Sequence, residues 1–365
     1  MNVAIAGGGT GGHVVPAIAL AHALAPDPVT FLGTAGGAEA TLVPAAGFEL
    51  ETIEVRGFDR SRPWSLVAVG IRAIRALFAA RRILARKEID VVVGMGGFVS
   101  LPVCYAARTL GLPVVIHEQN IVLGLANRAT KPLARAVAVS FEETLEEAGA
   151  KAMLVGNPVL PSVAVVDLVT ERARGWERFG LDSTRATLLV FGGSQGARSI
   201  NRAVQGLSRV WADNLDLQIL HIAGAAQAAS IEQDVESALE GKRLIYKVFD
   251  YVDRMIEAYA VADLVLCRGG ATTVAELCAI GLPSVIVPYP HHRDRQQQRH
   301  AHLLESHGAC VAVADGEAST ERLAPEIERL LKDDFTLQQM RKAALGLGRP
   351  DAALRLAELV RQQAS

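Results

Sequence analysis

The sequence predicts an α/β protein of two domains, each a parallel sheet wrapped by helices. Three observations predict it. A strand opening into a glycine loop and a helix begins the chain, Val3–Ala6 into Gly7-Gly8-Gly9-Thr10-Gly11-Gly12-His13, and it is mirrored by Thr187–Phe191 into Gly192-Gly193-Ser194-Gln195-Gly196-Ala197. The 365 residues exceed one ordinary core and suit two domains of about 150–180 residues. Short apolar runs of strand length alternate with helical stretches, the pattern of a parallel sheet.

Composition narrows the function. Half of the residues are hydrophobic, 21% are charged and the net charge is −2. No global basic field seeks nucleic acid, so no nucleic-acid partner is expected. The four cysteines, Cys104, Cys267, Cys278 and Cys310, show no metal or redox spacing and read as small core residues of a reducing compartment. The N-terminus enters a strand with no basic leader, so no signal peptide is expected, and no apolar run reaches the length of a membrane span.

In order, the first glycine loop leads into a helix from about Val15 to Leu24. Gly7, Gly9 and Gly12 fit the dinucleotide fingerprint. The second strand, Val29–Leu32, closes on Gly33-Thr34 instead of the acid a dinucleotide ribose requires, so NAD is not expected. What remains is backbone that a ligand can approach closely, with Thr10 and His13 at its lip. His13 reads either as a solvated cap or as a functional group at the carboxyl end of a parallel strand.

Arg60 to Lys87 carries eight basic residues and no acidic one, interleaved with Trp64 and apolar positions Val67, Ile71, Ile74 and Phe78 at helical spacing. This is either a basic amphipathic helix for an anionic membrane surface or a crossover helix with its apolar stripe in the core. Ile89–Val93 opens into Gly94-Met95-Gly96-Gly97. Pro113–Ile116 ends in His117-Glu118-Gln119-Asn120, four polar residues that are costly unless they meet a ligand or each other. Pro158, Pro161 and the residues to about Val169 read as a hinge. The expected domains are 1–160 and 161–340, with a helical segment 341–365 that can pack back on the first.

The stretch around which the second half is built is Ala262 to Gln297. Ala262–Cys267 and Leu282–Val287 read as buried strands, joined by Arg268-Gly269-Gly270-Ala271 and a helix capped by Thr272 or Thr273 and ended by Gly281. The loop and helix N-terminus make an anion site suited to a diphosphate. Glu276 reads either as the acid of a Thr273-Val-Ala-Glu276 capping box or as a ribose contact. Gln296 and Gln297 can read sugar hydroxyls. No Asp-x-Asp occurs, so a diphosphate site without metal is expected, and no cofactor.

Together, Gly8–His13, Gly94–Gly97, His117–Asn120, Val155-Gly156-Asn157-Pro158-Val159, Gly192–Ala197 and the stretch through Asp294-Arg295-Gln296-Gln297 resemble the MurG-type N-acetylglucosaminyltransferases of peptidoglycan synthesis. The motifs run in order over nearly the whole chain. The resemblance implies a GT-B fold, two Rossmann-like domains facing across a cleft. It implies inverting transfer of N-acetylglucosamine from UDP-N-acetylglucosamine to the muramyl 4-hydroxyl of undecaprenyl-diphosphate-muramyl-pentapeptide, at the cytoplasmic face of the bacterial cell membrane. Ser194 and Arg268 then match diphosphate contacts, and Val252 matches a uracil contact through its backbone. Ala271, Thr272, Thr273, Val274 and Ala275 match the phosphate-facing helix start, Glu276 the ribose contact, and Gln296 with Gln297 the sugar readers. Thr10, Gly11, Gly12 and Asn120 match first-half residues that reach the donor. His13 matches the general base, with Glu118 its rival, and Asn127, Gly96 and Gly97 match the acceptor side. Leu160 and Phe98 depart from the family's commoner basic residue and Tyr. Rival readings are a UDP-N-acetylglucosamine 2-epimerase, another lipid glycosyltransferase, and a non-catalytic nucleotide- or membrane-binding module.

Overall fold

The computed structural model describes residues 1–55, 66–193, 195–292 and 294–364, with backbone alone at 66–72. The chain divides into two compact units, Met1–Pro161 with Arg349–Ser365, and Ser162–Gly348.

The first unit has strands β1 (Val3–Ala6), β2 (Val29–Gly33), β3 (Glu49–Thr52), β4 (Val91–Gly94), β5 (Val114–Glu118), β6 (Ala136–Val139) and β7 (Ala152–Leu154), in the spatial order β3-β2-β1-β4-β5-β6-β7. All its pairings are parallel. Its helices include α1 (Gly11–Ala23), α2 (Glu39–Ala45), α3 (Leu66–Arg86), α4 (Gly97–Thr109) and α5 (Leu125–Thr130). Strand alternation sends Val3 and Ile5 to a core shared with α1 and with Leu356 and Val360 of the last helix. Ala4 and Ala6 face the opposite core with α3 and α4. The order reverses between β1 and β4. There the two glycine loops of the first half lie side by side, where doubly wound sheets bind ligands.

The second unit repeats the plan with β8 (Ala186–Phe191), β9 (Leu217–Ile222), β10 (Ile245–Phe249), β11 (Leu264–Cys267), β12 (Ser284–Ile286) and β13 (Cys310–Ala312), ordered β10-β9-β8-β11-β12-β13 and parallel throughout. Its switch point lies between β8 and β11. The loops that start at Gly192 and Arg268 both open there.

Several elements differ from expectation. The first helix begins at Gly11, four residues before Val15, with Thr10 extended as its N-cap. The helix after Arg268 begins at Ala271 with Gly270 as N-cap, so neither Thr272 nor Thr273 caps it. The stretch from 39 to 52, unassigned in the sequence, holds α2 and β3. The helix Asp334–Leu347 stays with the second unit, and the return to the first begins at Arg349. The four cysteines are buried and free. Among the described residues no helix is long and apolar enough to cross a membrane.

On α3 the expected stripe divides. Ala76, Ala80, Ile83 and Leu84 face the core, whereas Ile74 and Phe78 are 59% and 63% exposed. Val67 and Ile71 fall where only backbone is described, and Arg60, Arg62 and Trp64 lie outside the described residues.

Candidate functional site

In the first unit the two loops meet backbone to backbone. Gly97 sits at φ +77°, and a Cβ there would lie 2.6 Å from the Gly8 carbonyl oxygen. The N-cap residues Thr10 and Gly96 make no side-chain cap to α1 or α4. By contrast Asp167, Ser319 and Asp333 cap the helices that follow them. The expected residues Thr10, Gly11 and Gly12 form the exposed start of α1, and His13 stands half-buried in its first turn.

The four polar residues closing β5 meet each other. His13 Nδ1 lies 3.0 Å from Gln119 Oε1. Gln119 Nε2 donates to the Met95 carbonyl and reaches His117 Nδ1, both at 3.0 Å. His117 Nε2 lies 2.9 Å from the Gly156 carbonyl.

Glu118, expected as a rival base, has another duty. It is buried, and its carboxylate accepts from the Asn120 amide and side chain at 3.0 Å and from the Gly124 amide and Asn127 Nδ2 at 2.8 Å. Four donors occupy the carboxylate oxygens, which suits a brace. Asn127 also donates to the His117 carbonyl at 3.0 Å, and its buried Oδ1 has no partner among the described residues.

In the second unit the end of the Gly192–Ala197 loop packs on the backbone that follows β9. Gly196 is at φ +70°, and a Cβ there would strike the Ala223 carbonyl oxygen. Ser194 lies outside the described residues. The N-cap residues Ala197 and Gly270 of Arg198–Val210 and Ala271–Ile280 make no side-chain cap, and Ala271, Thr272 and Thr273 form the positive end of the second helix beside the switch point. Arg268, expected on the diphosphate, is braced from within: it donates to the Asp315 carboxylate at 2.6 Å, to the Ser199 hydroxyl and Val287 carbonyl at 3.0 Å, and to the Pro288 carbonyl at 3.2 Å. Gln296 holds Asp294 at 2.6 Å, and Gln297 accepts from the Tyr289 amide at 2.9 Å, so both order the loop around Asp294. Val252 is buried beside the exposed Tyr251.

Glu276 does not complete a capping box, because the helix starts two residues before Thr273. Its carboxylate accepts from the Tyr259 hydroxyl at 2.7 Å. The residue is only half-buried, yet its carboxyl is enclosed enough that burial pushes it up to about 7 against the pull of that hydroxyl.

The chain is similar to known proteins over nearly its whole length. The glycosyltransferase family 28 N-terminal domain matches residues 3–139 and the family's C-terminal domain matches residues 187–356. The chain belongs to glycosyltransferase family 28. Its relatives include a protein of Acidothermus cellulolyticus, 43% identical over 100% of this chain and 98% of its own, and one of Halothermothrix orenii, 38% identical over 100% and 99%. Both are named UDP-N-acetylglucosamine–N-acetylmuramyl-(pentapeptide) pyrophosphoryl-undecaprenol N-acetylglucosamine transferase. The crystal structure of Acinetobacter baumannii MurG, 28% identical, superposes with a TM-score of 0.77 over 99% of both chains. A Neisseria meningitidis UDP-GlcNAc 2-epimerase bound to UDP-GlcNAc, 12% identical, shares the fold with a TM-score of 0.69 over 100% of this chain and 99% of its own.

Two residues of this family 28 chain that the sequence reading passed over hold its loops. His300, fully buried, contacts the Gly269 carbonyl through Nδ1 at 2.9 Å; burial pushes it down to about 4, so it braces the loop as a neutral ring. Glu39, fully buried on α2, accepts from the Gly9 amide at 2.9 Å, the Thr34 amide at 2.8 Å and the Thr34 hydroxyl at 2.7 Å. The acid missing after β2 therefore arrives five residues late, and it occupies a loop amide that a dinucleotide phosphate would use. A Cβ at Gly8, Gly33 or Gly37 would collide with it. Burial pushes the Glu39 carboxyl up, but the Thr34 and Gly9 hydrogen bonds outweigh burial and hold it below the usual range of 4.5.

A depressed pKa contributes stability above the unfolded value and loses it as pH falls through the folded one. Glu39→Gln should therefore destabilise the protein by about 2 kcal/mol at pH 7 in denaturant titrations. The gap from the parent should close below the usual carboxylate value of 4.5. Equal stability at pH 7 would contradict the brace.

Proposed function

We propose that this chain transfers N-acetylglucosamine, with inversion, from UDP-N-acetylglucosamine to the muramyl 4-hydroxyl of undecaprenyl-diphosphate-linked muramyl-pentapeptide. The observation that carries the reading is that each unit holds at its own switch point the group the reaction needs there. The first presents the half-buried His13, braced from behind. The second presents helix N-termini beside its glycine loops and an enclosed acid. The relatives' shared name supports the same assignment.

In this reading His13 takes the proton of the 4-hydroxyl as its oxygen attacks the anomeric carbon from the face opposite the diphosphate. The bond from that carbon to the β-phosphate oxygen breaks, and the released charge falls on UDP. Proton removal contributes about 10²–10⁴ in rate. The amides of Ala271 to Ala275 stabilise the leaving diphosphate, an electrostatic effect that needs no reorganisation during reaction. Glu276 accepts from the ribose hydroxyls, with Gln296 and Gln297 at the sugar. Thr10, Gly11, Gly12 and Asn120 serve the donor from the first unit, and Asn127 and Gly96 serve the acceptor.

The enzyme works peripherally at the cytoplasmic membrane face, and α3 supports this. Ile74 and Phe78 stand exposed one turn apart. Arg81 is held by the Thr109 carbonyl and hydroxyl, and Arg86 and Lys87 pair with Glu51 and Glu49. Arg75 and Arg82 have no ion pair among the described residues and remain for anionic headgroups.

Radiolabelled N-acetylglucosamine should pass from its UDP form to the undecaprenyl-linked muramyl acceptor. Appearance of the manno-epimer from donor alone would replace this reading with epimerisation.

Because an ionised Glu276 is the stronger acceptor, UDP-N-acetylglucosamine affinity in calorimetry should fall as pH drops through about 7. Glu276→Gln should weaken binding about tenfold at pH 8 and flatten that dependence. A carboxyl raised in the folded state costs stability as pH rises from 4.5 to about 7, so the variant should be at least as stable as the parent at pH 8. Unchanged donor affinity would remove Glu276 from the site.

Replacing both Arg75 and Arg82 by Gln should weaken binding to phosphatidylglycerol vesicles at low salt by about 2 kcal/mol, close to thirtyfold. Undiminished binding would exclude this face.

A further inference from the structure

The polar run at the end of β5 admits one consistent placement of protons. His117 Nε2 lies 2.9 Å from the Gly156 carbonyl oxygen. A carbonyl only accepts, so Nε2 carries the ring proton. His117 is fully buried, and burial pushes it down to about 4, so the ring is neutral and Nδ1 is a lone pair. The Gln119 atom 3.0 Å from that lone pair must then be the NH2. The same NH2 lies 3.0 Å from the Met95 carbonyl, a second acceptor demanding the same orientation. Both amide hydrogens are used, and the amide oxygen is turned to His13 Nδ1 at 3.0 Å. That oxygen only accepts, so His13 Nδ1 holds the proton. In the neutral ring Nε2 is then a lone pair, on the edge facing away from the buried amide.

We infer that Gln119 is a positioning residue that sets the tautomer of His13, so that Nε2 is the nitrogen available to take a proton. This rests on the assignment of His13 as base. Neutral imidazole in water prefers the opposite form, with the proton on Nε2. In that form the lone pair would be Nδ1, turned toward the protein interior and out of reach of a sugar hydroxyl. The interior therefore reverses an intrinsic preference, and two acceptors on separate strand ends, Met95 after β4 and His117 in β5, keep the amide from flipping. Gly96 completes the arrangement. A Cβ there would lie 3.2 Å from His13 Cε1, so the missing side chain leaves the ring room to reach Gln119.

The direct test is nitrogen-15 NMR of the full chain with labelled histidine at pH 8, without substrates, the His13 signals being identified by their loss in His13→Gln. A protonated Nδ1 and bare Nε2 are expected at His13. A protonated Nε2 or an imidazolium would overturn the inference. Because no turnover is involved, this outcome is independent of whether the proposed transfer is correct.

Two variants separate positioning from packing. Gln119→Met should move the His13 signals toward the Nε2-protonated form. It should lower kcat on the order of 10²-fold while both KM values stay within about threefold. His117→Phe leaves the Met95 acceptor in place and should keep the His13 tautomer, although it alters more buried volume. Parent-like kcat in Gln119→Met, or a changed tautomer in His117→Phe with none in Gln119→Met, would overturn the assignment.

Discussion

Neighbouring loops at the carboxyl ends of these sheets touch through bare backbone. Gly97 lies against the Gly8 carbonyl, and Gly196 lies against that of Ala223. Any side chain would push the loops apart. In the first unit this contact lies at the switch point between β1 and β4; in the second it joins the loops after β8 and β9, beside the switch point. A parallel sheet brings two loops together at one reversal of strand order, so each unit has one such place. The rest of the candidate site is arranged around it.

Such loops need internal anchors, and polar groups distant in sequence supply them. Glu39 takes the Gly9 amide, Glu118 gathers the loop from Asn120 to Asn127, Asp315 pairs with Arg268, and His300 holds the Gly269 carbonyl. Each is a charge or ring enclosed with its partners satisfied, which makes it rigid and chemically quiet. The groups assigned to chemistry differ in kind. His13 is half-buried, Glu276 carries an enclosed carboxyl pushed up to about 7, and the N-cap residues of two helices make no side-chain cap. Bracing and reactivity are thus divided between different residues of the same motifs.

This division explains what was legible in the sequence. Strand, glycine loop and helix recur at short range, and their pattern showed two parallel sheets and the loop-to-helix junction at which His13 stands, whereas the reversal of strand order came only with the structure. The polar end of β5 was correctly read as costly unless self-satisfied, since four adjacent polar residues carry that meaning in themselves. The anchors were not legible. Glu39 lies 30 residues from Gly9, His300 lies 31 from Gly269 and Asp315 lies 47 from Arg268. No local pattern marks such partners. Local pattern also misled. Thr273-Val-Ala-Glu276 has capping-box spacing, but Gly270 takes the N-cap and leaves Glu276 to Tyr259. On α3, apolar spacing alone did not separate the core face from Ile74 and Phe78, because small alanines and not large residues make much of the inner stripe.

The central claim is that backbone amides and helix ends at the second switch point hold a nucleoside diphosphate. Calorimetric titration of uridine diphosphate into the chain with EDTA present tests it most directly. Saturable heat at one site per chain is the expected result. No heat in EDTA, with binding restored by magnesium, would contradict it.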